Sequence, residues 1–310
     1  MTADPQQTPS GRAVTAFAGL HRAGEPLLLP NAWDHASARA LAGQGFRAVG
    51  TTSLGVAAAA GLPDGAAATR KETLRLAMAL GAGPFLLSVD AEGGFSDDPD
   101  EVGEFARELY AVGAVGINLE DGLGPAARHV AKIAAVRQAA PGLFVNARTD
   151  THWLGEGGGT LARLDAYQQA GADGVFVPGL ADLREIEALV RHLGVPLNVL
   201  YSPGGPSVPH LADVGVRRVS LGSLLYRRAL GAALEAASDI RAGRTPTGTT
   251  PSYDDVAGLG TQAVSSAAAS RETAVRSGAL CRQVTACPAP NSRCAAVTAG
   301  STAVRACTWR

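Results

Sequence analysis

The chain has 310 residues, 46% of them hydrophobic, and a net charge of −1 at neutral pH, which is enough to bury a large core and suits a barrel or open α/β sheet better than a small module. Lys71 and Lys132 are its only lysines, and with no basic patch interleaved by aromatic residues a nucleic-acid partner has no electrostatic footing. The longest apolar segments, such as residues 76–89, are broken by glycine and proline and fall short of the roughly 18 to 20 residues that span a bilayer; no export signal is visible at the N-terminus, so the expectation is a cytoplasmic protein with no membrane partner.

From residue 27 onward, short apolar or β-branched runs end in polar residues or glycine and give way to alanine-rich amphipathic stretches, eight times over. The expected strands are Leu27–Asn31, Ala48–Ser53, Phe85–Glu92, Gly116–Asp121, Leu143–Thr149, Gly174–Pro178, Pro196–Leu200 and Arg217–Gly222. Between them the expected helices contain Ala36–Ala42, Arg70–Ala79, Pro99–Val112, Ala126–Ala139, Thr160–Ala170, Ala181–His192 and Ser207–Val214. Several close on glycine before the next strand, at Gly43-Gln44-Gly45, Gly113, Gly171 and Gly215, where a residue free to take positive φ is useful. Eight such units predict a parallel (β/α)8 TIM barrel over residues 1–250. A doubly wound sheet needs a glycine fingerprint, and Gly155–Gly159 lacks its spacing and reads as a loop.

After Tyr253 the rhythm stops, and residues 251–310 are expected to form a low-complexity, disordered tail. From Arg271 it carries six arginines and one glutamate, about +5, against about −6 for the rest. Cys281, Cys287, Cys294 and Cys307 all lie there. Their spacing fits no paired zinc motif, and without an export signal a disulfide framework is not expected. A shifted reading frame in a GC-rich gene also produces such a composition.

The active site of a barrel lies at the carboxyl ends of its strands. Polar groups gather at that rim in the sequence: Asn31, Thr52, Ser53, Asp90, Glu92, Asn118, Glu120, Arg148, Asp150 and Asn198. In Leu87-Ser88-Val89-Asp90-Ala91-Glu92-Gly93-Gly94 an apolar strand ends in two carboxylates that alternation turns to one face. Two hard oxygen ligands on one side suit Mg²⁺ or Mn²⁺, although acidic residues also end strands simply because solvent starts there. Glu120, Asp121 and Asp64 bring further negative charge to the rim. A divalent cation would relieve their repulsion and hold an oxyanion substrate; the alternative is that Arg148 and arginines of flanking helices pair with them.

These residues resemble motifs of the isocitrate lyase and phosphoenolpyruvate mutase superfamily. Leu29-Pro30-Asn31-Ala32-Trp33-Asp34-His35-Ala36-Ser37-Ala38-Arg39 is similar to its first strand and helix. Gly50-Thr51-Thr52-Ser53-Leu54-Gly55 through Gly61-Leu62-Pro63-Asp64-Gly65 is similar to its substrate-binding second loop. Ser88-Val89-Asp90-Ala91-Glu92-Gly93-Gly94-Phe95, Ile117-Asn118-Leu119-Glu120-Asp121 and Asn146-Ala147-Arg148-Thr149-Asp150 follow in order, so that the resemblance covers roughly residues 12 to 245. It implies a barrel of the phosphoenolpyruvate/pyruvate type that binds Mg²⁺ and stabilises a pyruvate enolate. Asp90 would position the metal, with Glu92 and Glu120 acting partly through water. Thr52, Ser53 and Leu54 would hold the substrate carboxylate, and Asn118 at the same rim is counted with the substrate-binding groups. Asp64 would lie beside the reacting centre, and Arg148 would bind the oxyanion or transferred group. The resemblance also implies a homo-oligomer.

One motif departs from the family. Its lyases carry a Lys-Lys/Arg-Cys-Gly-His loop after the fourth strand, whose cysteine donates a proton. Here the text is Glu120-Asp121-Gly122-Leu123-Gly124-Pro125-Ala126-Ala127-Arg128-His129, with no cysteine before residue 281. Arg128 and His129 are possible substitutes, although a place in a surface helix suits them better; His152, Trp153, Tyr201 and His210 follow later strands. The expectation is therefore a Mg²⁺-dependent lyase or phosphonomutase-like enzyme acting on a small α-keto or 2-hydroxy carboxylate. The alternatives are an oxaloacetate-type carbon-carbon hydrolase and a non-catalytic carboxylate-binding barrel.

Overall fold

The computed structural model describes residues 9–155 and 158–260. In chain order its elements are α1 (Pro9–Leu20), β1 (Leu27–Leu29), β2 (Asn31–Ala32), α2 (His35–Gly43), β3 (Ala48–Thr51), α3 (Ser53–Ala60), α4 (Arg70–Leu80), β4 (Leu86–Asp90), α5 (Pro99–Ala111) and β5 (Ala114–Glu120). They continue with α6 (Ala126–Ala139), β6 (Phe144–Arg148), α7 (Thr160–Gln169), β7 (Gly174–Val177), α8 (Leu183–His192), β8 (Leu197–Leu200), α9 (Val208–Asp213), β9 (Arg218–Ser220) and α10 (Leu224–Arg241).

All strand pairings are parallel, in the order β1-β9-β8-β7-β6-β5-β4-β3-β2. β1 and β2 are one stave interrupted at Pro30, which has no N–H to donate; its carbonyl still accepts from Gly50 N at 2.8 Å. Because β1 pairs with β9 and β2 with β3, this stave closes the ring, giving the predicted (β/α)8 barrel. The strands are short and buried on both faces, as in β7, Gly-Val-Phe-Val, which is the pattern of a parallel sheet covered by helices. Gly45, Gly113, Gly171 and Gly215 take φ between 90 and 105° after their helices, as expected. At Gly113 a Cβ would also lie 2.5 Å from the Gly81 carbonyl oxygen.

Two apolar clusters divide the interior. The larger lies between the strands and the outer helices. The smaller gathers Phe17 of α1 with Leu29, Ala48, Val115 and Phe144. Ala48, Val115 and Phe144 begin their strands or nearly so, which places this cluster at the N-terminal mouth with α1 as its plug. The sequence reading did not include α1 or α10. It also ran the second strand through Ser53, whereas Ser53 starts α3, and the third through Glu92, whereas β4 stops at Asp90.

Of the expected tail only residues 251–260 are described, and residues 253–260 are helical. Ser252 and Asp255 there exchange hydrogen bonds in a capping box, Asp255 N to Ser252 Oγ and Ser252 N to Asp255 Oδ2, both 3.1 Å. The four cysteines and the rest of the tail lie outside the described residues. No helix among the described residues is long and apolar enough to cross a membrane.

Candidate active site

A cavity of about 130 Å³ opens at the carboxyl ends of the strands, and Thr52, Ser53, Leu54, Asp64, Asp90, Asn118 and Arg148 all line it. With Asn31 and Trp153, which also line it, nine residues named from the sequence meet in one place. Thr52 is the N-cap of α3 and makes no side-chain cap bond, so no cap side chain engages the first-turn N–H groups, which have no intrahelical partner, and Thr52, Ser53 and Leu54 at this helix start line the cavity. One of those N–H groups, Ser53 N, donates to Asp90 Oδ2 at 3.1 Å. Thr51 Oγ1 accepts from Asp90 N at 2.8 Å, tying the two strand ends together.

Glu92 and Glu120 do not line this cavity; they line a neighbouring one of about 460 Å³. Glu92 sits in a turn at φ 47°, past the end of the strand, so strand alternation does not bring it beside Asp90. Its carboxylate accepts from Thr69 Oγ1 at 2.6 Å and from Ala67 N at 3.2 Å, which fastens the loop carrying Asp64. Glu120 pairs with Arg148 Nη1 at 2.8 Å, and Asp150 takes Arg148 Nε at 2.6 Å. The guanidinium is thereby held over Phe176 with its centre 5.8 Å from the ring. Asp121, expected at the rim, turns the other way. Its fully buried side chain accepts from Tyr167 Oη at 2.7 Å and Arg163 at 3.0 Å on one oxygen, and from Leu123 N and Asp150 N on the other.

That knot also fixes the segment that replaces the lyase loop. Gly122 and Leu123 form a tight left-handed turn at φ 52 and 57°, and Arg163 holds the Gly124 carbonyl at 2.9 Å. The substitutes considered for the missing proton donor turn away. Arg128 pairs with Asp97 at 3.0 Å on the surface. His129 is buried against the Tyr167 ring, not on a helix surface, and burial lowers its pKa to about 4.

The electrostatics are lopsided. Burial raises the pKa of Asp90 against the opposing pull of Arg148, with the charge of Asp64 adding to the rise. Burial takes Glu120 up to about 8, again opposed by Arg148 and assisted by Asp90, Asp150 and Glu92. Asp90, Glu120 and Asp150 therefore crowd around one arginine in contact with two of them. Among the described residues no group of three or more histidine, cysteine or acidic side chains is disposed to hold a metal by itself. The donors nevertheless fit Mg²⁺. Asp90 offers a buried carboxylate with no cation in contact, and this ion commonly uses one or two carboxylates and completes its shell with water and substrate oxygens.

Two functional candidates escaped the sequence reading. Arg218, fully buried inside the barrel, donates from Nε to Ser220 Oγ and from Nη2 to Asn118 Oδ1, both at 3.1 Å, while Nη1 has no partner. Asn146 Nδ2 reaches the same Asn118 oxygen at 2.8 Å. Arginine only donates, so Asn118 must present Oδ1 to it, which leaves the Nδ2 donor for the cavity. Lys132, also buried, gives Nζ to the Gly93 carbonyl at 2.8 Å on the wall of the larger cavity. An interior arginine has little sequence signal, because arginine is almost never fully buried.

Comparison with known proteins identifies the family. The sequence profile of the phosphoenolpyruvate phosphomutase family matches residues 17–241. An uncharacterized protein of Mycobacterium tuberculosis is 43% identical over 235 residues, covering 74% of this chain and 90% of its own. An oxaloacetate decarboxylase of Pseudomonas aeruginosa is 32% identical over 231 residues, covering 67% and 78%. The fold is shared with a solved 2,3-dimethylmalate lyase of the phosphoenolpyruvate mutase/isocitrate lyase superfamily, at TM-score 0.73 and 23% identity over 84% of this chain and 98% of that one. Profile and relatives agree: the chain belongs to the phosphoenolpyruvate phosphomutase family.

Proposed function

We propose that this barrel is a Mg²⁺-dependent lyase or phosphonomutase-like enzyme that acts on a small α-keto or 2-hydroxy carboxylate through an enolate. One observation carries the proposal: the N-terminus of α3, the buried carboxylate of Asp90 and the guanidinium of Arg148 face a single cavity. The start of α3 at Thr52, Ser53 and Leu54, which lines the cavity, suits a substrate carboxylate, since a helix start favours anions. Arg148, fixed by Glu120 and Asp150, can receive the negative charge that grows on the carbonyl oxygen as a bond at the α-carbon breaks. Because its donors are already aimed, no reorganisation is needed when that charge appears. Asn118 Nδ2 supplies a further donor, and Asp64 stands at the cavity edge beside the reacting atoms. Asp90 would hold the metal, with Glu92 and Glu120 acting through water. When bound, Mg²⁺ supplies Lewis-acid withdrawal of electrons from a neighbouring keto group.

A second reading, an oxaloacetate-type carbon-carbon hydrolase, is favoured by the short turn at residues 122–125 and by the lack of any cysteine in the barrel. A homo-oligomer is kept in the proposal because the 18 residues of α10 include none that is buried, and Leu230, Leu234 and Ile240 are exposed on it. Light scattering on the purified chain tests that part.

The test of activity is incubation with Mg²⁺ and oxaloacetate, 2-methylisocitrate, dimethylmalate, phosphonopyruvate or phosphoenolpyruvate, followed by NMR of pyruvate, glyoxylate and phosphonate. The expected result is turnover of one compound, lost on addition of EDTA. Asp90→Ala should abolish both turnover and thermal stabilisation by Mg²⁺. Stabilisation that survives the substitution removes Asp90 from the metal. Stabilisation by carboxylates with silence across the panel would favour the binding barrel instead.

A further inference from the structure

We propose that Trp153 sets the size limit of the substrate, so that the cavity takes a short 2-oxo or 2-hydroxy acid, of about three or four carbons, and rejects longer chains. The proposal rests on the α-keto or 2-hydroxy acid reading of the cavity and specifies which acids fit it. The lining changes character around the rim. Ser53 starts α3 just after β3, Asp90 ends β4, Asn118 lies in β5 and Arg148 ends β6. Phe176 lies in β7, Pro178 follows it and Leu200 ends β8. Strands β3 to β8 are neighbours in that order, so the polar and the apolar groups occupy adjacent arcs. Trp153 comes from the loop after β6, at the junction of the two.

An acid held by its carboxylate at the start of α3 and by its oxygen at Arg148 leaves its carbon chain to face the apolar arc. An apolar cavity of roughly 150 Å³ accepts benzene, a molecule about the size of pyruvate, so a cavity of about 130 Å³ is filled by a short acid. The backbone under Trp153 is pinned. Leu154 N donates to the Asp150 carbonyl at 3.0 Å, and the Thr151 and Thr160 hydroxyls share a hydrogen bond of 2.7 Å. Behind it stands Gly179 at φ 84°, where a Cβ would lie 2.7 Å from the His152 carbonyl oxygen and 3.2 Å from Trp153 N. Glycine at this position lets the two loops close on each other, so the chain under the indole has no room to retreat. Trp153 is nevertheless 55% exposed, which makes it a wall of the cavity more than a part of the core. With Leu200 it is also shared with a separate cavity of about 200 Å³, so the two side chains form a partition, and shortening the indole gives a longer substrate space to advance.

The experiment is calorimetric titration of the full chain, with Mg²⁺ present, by pyruvate, 2-oxobutanoate, 2-oxopentanoate and 2-oxohexanoate, on wild type, Trp153→Phe and Trp153→Ala. In the wild type, affinity should fall about tenfold from 2-oxobutanoate to 2-oxohexanoate, the effect of forcing extra methylenes into a filled space. In Trp153→Ala the same ratio should shrink to about threefold or less as that crowding is relieved, with Trp153→Phe between. The ratio is taken within each protein, so a variant that binds every acid more weakly still reports, and a general loss of structure does not imitate the result. Wild-type affinities that are equal or rise with chain length, or a ratio unchanged in Trp153→Ala, overturn the size limit and leave the reading of the cavity intact. Failure of every acid to bind the wild type overturns that reading, and the proposal with it. If Trp153→Ala does not fold, Trp153→Phe decides by the same ratio.

Discussion

The two mouths of the barrel are made from the same strands and share almost no chemistry. At the N-terminal mouth Phe17, Leu29, Ala48, Val115 and Phe144 pack into an apolar plug. At the C-terminal mouth Asp90 and Arg148 line a cavity with Glu120 paired to Arg148 behind it, and burial acts against each of their charges. β6 displays the contrast within five residues, beginning at Phe144 in the plug and ending at Arg148 in the site. One end of a strand thus contributes packing at no functional cost, while the other keeps charges that weaken the fold unless a ligand or metal balances them. Stability and activity should accordingly respond to different residues.

The largest expected effect comes from the plug. Phe17 is fully buried and meets Phe144 edge-on, with ring centroids 5.4 Å apart. Phe17→Ala should cost about 3–5 kcal/mol of stability, the usual range for a buried phenylalanine, measured by urea denaturation. Below its new unfolding midpoint the variant should bind pyruvate with unchanged affinity. Weakened binding in the folded variant would mean that the two mouths are coupled and that the division drawn above is wrong.

Arg218 lies between the mouths and sharpens the comparison. Its pKa falls to about 9, chiefly by burial, with the charge of Asp90 pulling the other way. It touches no carboxylate, so Arg218→Met removes a buried charge without stranding a partner ion and should leave stability unchanged or slightly raised. Asn118 would keep one of its two orienting donors, and the cavity would lose a nearby positive charge. Pyruvate should then bind about tenfold more weakly, a loss on the order of 1.4 kcal/mol. A large loss of stability with normal binding would make Arg218 a packing residue of the barrel and nothing more.

The sequence carried the barrel because each strand and helix has a local signature: β-branched runs, amphipathic helices and glycines at helix ends. It carried Asp90, Asn118 and Arg148 of the first cavity because strand ends in this architecture share one rim, and Leu54 and Asp64 through the family resemblance. What it missed depended on contacts between distant segments. Alternation placed Glu92 beside Asp90, but a left-handed turn sends it to Thr69, and only the position of residues 67–69 reveals this. Asp121 is as acidic as its neighbour Glu120, yet Tyr167 and Arg163 on α7 claim it. Arg217 and Arg218 are indistinguishable by composition; one is a surface residue held to the Ala23 and Gly24 carbonyls and the other is in the centre of the barrel. The plug helix lies before the first strand, where no alternation announces it.

The smallest effect is one of pH, and it separates the mouths by sign. His21, at the plug, stacks on Phe144 with centroids 4.4 Å apart and shares Nδ1 with the Phe17 carbonyl at 3.0 Å. Burial, aided by the charge of Arg218, lowers its pKa from 6.5 to about 3. Between those values the unfolded chain holds a proton that the folded chain does not, so His21 makes stability fall as pH drops from about 6.5 toward 3. Glu120 acts in the opposite direction. With its pKa raised to about 8, the folded chain holds the extra proton, and stability falls as pH rises from the ordinary carboxylate range toward 8. His21→Phe keeps the stacking and removes the titration. Relative to wild type, its loss of stability between pH 7 and pH 5.5 should be smaller by about 1 kcal/mol, read from urea midpoints at the two pH values. An unchanged difference would show that His21 takes up its proton in place, and that the plug is less closed to charge than its aromatic packing implies.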